Sequence, residues 1–261
     1  MTEEELRSGL RTTLIGRRIL ALQETGSTNQ VAMELAAEGA PEGTVVVAEA
    51  QTRGKGRFGR TWASPAGLGI YISIVLRPPI PSDRVPVITL IAGVAVAEAI
   101  QEATGLAASL KWPNDVLIRG RKAAGILAEL DAEAEVVRYV VVGIGINVNQ
   151  GLEDFPLELR ESASSLKIGL GHEIQRTVLA QCLFEKMEAW YLRFLREGST
   201  PILQRFEDLC INLSQEVRVR SEEGLLEGLA TGIDPEGALL LRLPDGSLVR
   251  VLAGEVTLRK D

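Results

Sequence analysis

Histidine occurs once in 261 residues, at His172, and cysteine twice, at Cys182 and Cys210. A Ser/His/Asp or Cys/His nucleophilic site would have to be built on that single imidazole, and no GxSxG elbow accompanies it. The two thiols have no CxxC spacing, so they predict neither a zinc cage nor a disulfide framework, only two reduced, packed side chains. No all-protein metal site is expected. Long apolar runs are missing as well: no stretch reaches the roughly 18 uncharged residues that span a bilayer. The opening MTEEELRSGLRTTL is acidic where a secretion signal is basic. Aromatics make up 4% of the chain and the net charge is −7, which argues against a surface built as a phosphate footprint. These absences leave a cytoplasmic protein. Its 46% hydrophobic content is enough for one large domain, or one with a small companion.

Two periodicities alternate along the chain. Residues 27–38 read as a helix, with Ser27 or Thr28 as its cap, Val31 and Leu35 one turn apart, and Gly39 at its end. Six β-branched runs then predict strands at 44–50, 69–76, 107–112, 115–118, 123–130 and 137–148. The alanine-rich 85–105 predicts a helix buried on the sheet. A second helix begins at Thr177 and carries Leu179, Leu183, Met187, Trp190 and Phe194 on one buried face, and a shorter one runs from Pro201 to Cys210. Strands that follow one another without intervening helices predict an α+β fold with a mixed, mostly antiparallel sheet. After Asn212, five short strands separated by EEG, DPEG, PDG and AG turns predict a small barrel, so the domains are expected at 1–212 and 213–261.

The richest stretch chemically is QTRGKGRFGRTW, residues 51–62. Arg53, Lys55, Arg57 and Arg60 set four positive charges close together, and no acid appears between Ala50 and Ser82. Glycines at 54, 56 and 59 let backbone N–H groups come near a ligand while the cations clamp an anion, a phosphate or a carboxylate. The same glycines spell G-x-G-x-x-G. The dinucleotide reading fails, because TWASPAGLG cannot open a helix and no acid follows until Asp83. A Walker A loop fails for want of a Gly-Lys-[Ser/Thr] ending.

Lys111-Trp112-Pro113-Asn114-Asp115 breaks two strands and so belongs at a sheet edge or bend. It offers a cation, a stacking surface, an amide and a carboxylate within five residues. Lys122 opens a small-residue strand and can lie over the sheet beside the glycine loop. Asn147 and Asn149, in GIGINVN, leave the same strand face and suit either a ligand or a turn.

GSTN at 26–29, QTRGKGRFGRTW at 51–62, KWPND at 111–115, KAAGIL at 122–127 and GIGINVN at 143–149, in this order, resemble the biotin protein ligase family. ATGIDPEGALLL and GEVTLR are similar to that family's C-terminal SH3-like barrel. The resemblance implies a catalytic domain of the class II synthetase/biotin ligase type. It also implies the family's reaction: biotin and ATP give biotinyl-5′-AMP and pyrophosphate, with Mg²⁺, and a lysine of the biotin carboxyl carrier protein of acetyl-CoA carboxylase then takes the biotin.

Carried over residue by residue, the resemblance assigns Ser27, Thr28 and Asn29 to the ureido end of biotin, with Gln51 nearby. It assigns Lys55, Gly56 and Arg57 to the biotin carboxylate and the adenylate phosphate, and Lys122 to the activated carboxylate. Arg60, Trp62, Lys111, Asn114, Asp115 and Asn147 would serve the nucleotide, its phosphates and the Mg²⁺ shell, with Trp62 covering the adenine side. Lys122, Arg57 and Lys111 are the expected catalytic cations.

Where the family loop often reads Gly-Arg-Gly-Arg, this chain has Lys55 at the first basic position, which keeps charge but loses a planar fork. The stretch before Ser27 is too short for the DNA-binding domain some members carry, so a ligase without a repressor role is expected. The apolar VRYVVVGI would allow a side-by-side sheet homodimer. Two other readings compete: a lipoate-type acyl protein ligase, and an RNA-binding module made of the basic loop and the terminal barrel.

Overall fold

The computed structural model describes residues 1–221 and 224–258. A seven-stranded sheet is built from β1 (Ile19–Thr25), β2 (Val45–Gln51), β3 (Gly69–Leu76), β4 (Ala108–Lys111), β5 (Asp115–Ile118), β6 (Arg121–Glu133) and β7 (Val136–Asn147). Their order is β1-β2-β3-β7-β6-β5-β4, with β1 parallel to β2 and every other pair antiparallel. The mixed, mostly antiparallel sheet expected from the sequence is therefore present. Strand β1 was not expected: ILALQET has few β-branched residues and only Ile19 is fully buried, as befits an edge strand.

Among the described residues six α-helices accompany the sheet: α1 (Glu3–Arg7), α2 (Thr28–Ala37), α3 (Val85–Thr104), α4 (Leu166–Leu170), α5 (Arg176–Glu197) and α6 (Thr200–Leu209). Period-two alternation splits β3 between two faces. Ile70, Ile72, Ile74 and Leu76 join the core under α3 and α5, while Val75 packs with Ala32 and Ala36 of α2 on the other side. Helix α3 ends at Gly105, whose φ of 75° makes it a left-handed cap. The segment Ser82–Thr104 is long and apolar enough to cross a bilayer, but 72% of its apolar window is buried inside the molecule. On α5, Leu179, Leu183, Met187 and Phe194 are buried as expected. Trp190 is only half-buried and its indole N–H donates to Glu98 at 2.8 Å, while Tyr191 takes the fully buried position.

The five C-terminal strands all appear: β8 (Glu216–Ser221), β9 (Gly224–Ile233), β10 (Leu239–Arg242), β11 (Leu248–Val251) and β12 (Glu255–Leu258). They form an antiparallel sheet in the order β11-β10-β9-β8-β12. Glu222 and Glu223 of the EEG turn, and Arg259, lie outside the described residues. Alternate residues Val217, Val219, Leu239, Leu241 and Val256 join the main core. One expectation fails on topology: VRYVVVGI belongs to β7, an interior strand whose residues Val140, Val141 and Val142 are fully buried, so it offers no free edge to a second copy.

Candidate active site

A cavity of about 570 Å³ opens between the large sheet, the glycine-rich segment and β12. Its floor includes two same-face rows of the ladder, Gly143 beside Leu127 and Gly145 beside Gly125. A Cβ at Gly143 would overlap the Asn29 amide, and one at Gly145 would lie 2.5 Å from the Trp62 indole. Glycine is required here for close approach, since any side chain would fill the space those two residues occupy.

A chain of hydrogen bonds among uncharged side chains, ending on the Glu129 carboxylate, lines one end. Gln51 Oε1 accepts from the backbone N–H of Thr28 at 2.8 Å and lies 3.1 Å from its hydroxyl, and Gln51 Nε2 donates to Ser64 Oγ at 2.9 Å. Ser73 Oγ lies 2.8 Å from Thr28 Oγ1 and 2.6 Å from Asn29 Oδ1. Asn29 Nδ2 donates to Leu127 O at 3.2 Å and to Glu129 Oε2 at 2.7 Å. Ser27 is buried at the N-cap of α2, where its side chain makes no capping bond.

The glycine-rich segment is a small hairpin. Gly56 N donates to Arg60 O at 2.7 Å and Trp62 N to Gly54 O at 2.9 Å, around a tip where Phe58 has φ 55° and Gly59 φ 70°. Three of its cations are held by the chain itself. Lys55 Nζ is 3.2 Å from Glu129 Oε1, and Arg60 grips Glu255 through two bonds of 3.0 and 2.5 Å. Arg57 donates to Asn114 Oδ1 and to Gly254 O, each at 3.2 Å. The tip is thereby docked on the KWPND turn and on the start of β12. Burial pulls the Arg57 guanidinium below its ordinary pKa, although Asp115 and Glu255 oppose the shift. Hydrogen bonds from Arg60 hold the Glu255 carboxyl below the usual carboxylate range, with Lys111 adding to the effect.

KWPND forms the turn between β4, the far edge strand, and β5, as proline requires. Asp115 Oδ1 meets Lys122 Nζ at 2.5 Å, and that ammonium lies 5.6 Å from the centre of the Trp62 ring. The backbone of Lys122 is fixed by bonds to Ser162 O and Ser164 N. Lys111 and Asn147 also line the cavity. The expected site residues thus converge on one space.

Trp112 departs from the expected stacking surface. Its ring is 1% exposed, its indole N–H donates to Gly237 O at 3.0 Å, and its backbone N–H donates to Asn212 Oδ1 at 2.7 Å, so it ties the turn to the C-terminal sheet. Asn149 serves a turn, bonding Ile174 through both ends of its amide, whereas Asn147 faces the cavity. Sequence reasoning missed Ser64, Ser73, Glu129, Gly254, Glu255 and Asn212. A lone serine in the otherwise apolar IYISIVL carried a signal, because a polar group on a fully buried strand needs a partner.

An α+β scaffold with helices on both faces of its sheet and a basic hairpin over a glycine-floored cavity is the architecture of an acid-activating ligase. Residues 21–147 match the biotin/lipoate A/B protein ligase family, and residues 213–259 match the biotin protein ligase C-terminal domain. The chain is 44% identical over 246 residues to the bifunctional ligase/repressor BirA of Bacillus subtilis, covering 94% of this chain and 76% of that protein. It is 34% identical to the biotin--[acetyl-CoA-carboxylase] ligase of Mycobacterium tuberculosis, covering 95% and 93%. The biotin protein ligase of Aquifex aeolicus, solved with biotin and ATP, superposes with a TM-score of 0.80 at 31% identity, over 94% of this chain and all of that one. The chain belongs to the biotin/lipoate A/B protein ligase family.

Proposed function

We propose that the protein is an ATP-dependent biotin--[acetyl-CoA-carboxylase] ligase. The observation that carries this reading is the polarity of the cavity: a neutral hydrogen-bonding end at Thr28, Asn29 and Gln51, and a cationic end at Lys55, Arg57, Arg60, Lys111 and Lys122. A ureido ring matches the first end. A carboxylate meeting a triphosphate needs the second, because two anions approach only where fixed cations offset their repulsion.

In the first half-reaction a biotin carboxylate oxygen attacks the α-phosphorus of ATP, the bond to the bridging oxygen breaks, and pyrophosphate leaves. Ser27, Thr28, Asn29 and Gln51 orient the ring. Lys55, Gly56 and Arg57 hold the carboxylate and the α-phosphate, and Lys122 draws charge from the carboxylate. Arg60, Trp62, Lys111, Asn114, Asp115 and Asn147 serve the nucleotide. In the second half-reaction an acceptor lysine amine attacks the mixed anhydride carbonyl, AMP leaves, and the amine gives up a proton. The docked hairpin excludes water, which would otherwise hydrolyse the anhydride.

Among the described residues no group of three His, Cys, Asp or Glu side chains could cage a metal. That donor set fits Mg²⁺ carried on the phosphates, with the Asp115 carboxylate and Asn147 amide oxygen at hand. When bound, it would neutralise phosphate charge. ATP as a substrate sets the reaction in the cytoplasm, with the carrier domain of acetyl-CoA carboxylase as acceptor. Residues 1–212 form the catalytic unit in this reading, and 213–261 the unit that seats the hairpin tip.

Lipoate shares the carboxylate but has no ureido N–H or carbonyl to meet the neutral end. The test is exchange of labelled pyrophosphate into ATP with Mg²⁺. Exchange driven by biotin is expected, and exchange driven by lipoate but not by biotin would overturn the assignment.

A further inference from the structure

Glu129 was not among the expected site residues, yet its two carboxylate oxygens join two parts of the site. Oε2 accepts from Asn29 Nδ2 at 2.7 Å, on the floor of the cavity. Oε1 meets Lys55 Nζ at 3.2 Å, on the hairpin above it. From Asn29 the bonds continue through Ser73 and Thr28, from the Thr28 backbone N–H to Gln51, and on to Ser64, whose hydroxyl donates to Trp62 O at 3.1 Å. The path leaves the hairpin at Lys55 on one arm and returns to it at Trp62 on the other, so it closes into a ring.

The ring has a direction, and Glu129 sets it. A carboxylate accepts only, as does the Leu127 carbonyl, so both N–H groups of Asn29 must point at them. Asn29 Oδ1 is then turned toward Ser73, whose single proton goes to it at 2.6 Å. The Thr28 hydroxyl then gives its own single proton to the nearer of its two acceptors, Ser73 Oγ at 2.8 Å rather than Gln51 Oε1 at 3.1 Å, and Thr28 Oγ1 keeps a lone pair for a donor entering the cavity. Replacing the carboxylate by a group that can also donate removes the shorter of the two acceptor contacts that hold the Asn29 amide, leaving the Leu127 carbonyl at 3.2 Å alone to oppose its rotation and weakening the order along the ring.

We propose that Glu129 is a positioning residue that fixes the hydrogen-bond polarity of the acid-binding end and, through Lys55, couples occupation of that end to docking of the hairpin. The proposal rests on the biotin ligase reading given above. Glu129 touches no substrate; it acts through Asn29 and Lys55.

The experiment measures biotin-dependent pyrophosphate exchange by wild type, Glu129→Gln and Glu129→Asp, with a thermal melt of each. For Glu129→Gln, KM for biotin is expected to rise about tenfold, with kcat within about threefold and KM for ATP unchanged, because substrate orientation rather than bond-making is lost. Glu129→Asp keeps the charge but is too short for both partners at once, and a rise of about threefold is expected. Should Glu129→Gln not fold, Glu129→Asp decides. A folded variant with wild-type KM for biotin, or one that loses only kcat or melting temperature, overturns the proposal. Absence of exchange by wild type overturns the functional reading and this inference with it, whereas exchange whose KM ignores Glu129 overturns this inference alone.

Discussion

The Asp115 carboxylate and the Lys122 ammonium stand 2.5 Å apart on neighbouring strands, beside the Trp62 ring. In the proposed reaction Asp115 thereby aims a flexible cation at the place where negative charge must be drawn off. Lys122→Ala is expected to lower biotin-dependent pyrophosphate exchange by roughly 100-fold, the usual scale for losing one preorganised electrostatic contact. Circular dichroism should show the fold intact, since the ammonium is partly exposed and its backbone is held independently by Ser162 and Ser164. Unchanged exchange would remove Lys122 from the chemistry.

Arg57 joins the hairpin tip to Asn114 and to Gly254 O. Arg57→Ala should undock the tip and let the adenylate escape before transfer. The measurement is labelling of bystander proteins mixed with a carrier domain: the variant is expected to label both, wild type the carrier alone. Equal selectivity would show that Arg57 does not retain the intermediate.

Gly143→Ala drives a methyl group into the Asn29 amide. Overpacking of this kind costs about 1–3 kcal/mol. A lower melting temperature together with weaker biotin binding by calorimetry is expected, and wild-type affinity would show that Asn29 does not shape the ligand end.

Asn212 is fully buried and its Oδ1 accepts the buried N–H of Trp112. Asn212→Ala leaves that donor unpaired, at a cost of about 1–3 kcal/mol. Denaturant unfolding would detect the change. A midpoint equal to wild type would mean that the strut between turn and C-terminal sheet adds nothing.

The Arg60–Glu255 clasp predicts a pH dependence. Hydrogen bonds from Arg60 lower the folded pKa of Glu255, so the clasp contributes fully above the ordinary glutamate value of about 4.3 and is lost as pH falls through the lowered one. Cleavage of the hairpin by an acid-tolerant protease should increase across that window in wild type. Glu255→Gln should be cleaved equally on both sides of it, and a retained pH step in that variant would assign the clasp to another group.

The hydrophobic periods made most of the fold legible, because buried strands such as β3 and β7 and the apolar α3 carry dense, regular signals. Strand β1 was invisible for the opposite reason: its half-polar residues sit at an edge where packing barely constrains them. The site was legible wherever chemistry clusters in sequence, as in QTRGKGRFGRTW and KWPND. Glu129, Asn212 and Glu255 were not, since each looks like an ordinary strand or loop residue until the fold brings it to a partner 74, 100 or 195 positions away. Trp112 was misread because a tryptophan in a polar turn gives no sign of which side of the turn is buried.

The docking of Arg60 on Glu255 also has a consequence for biosynthesis. The anchor of the hairpin is translated 195 residues after the hairpin itself. At about 5–20 residues per second, that interval is on the order of 10–40 s. During it the large sheet can emerge from the ribosome and fold while its basic hairpin still has no seat, so the clasp closes only once β12 has been made.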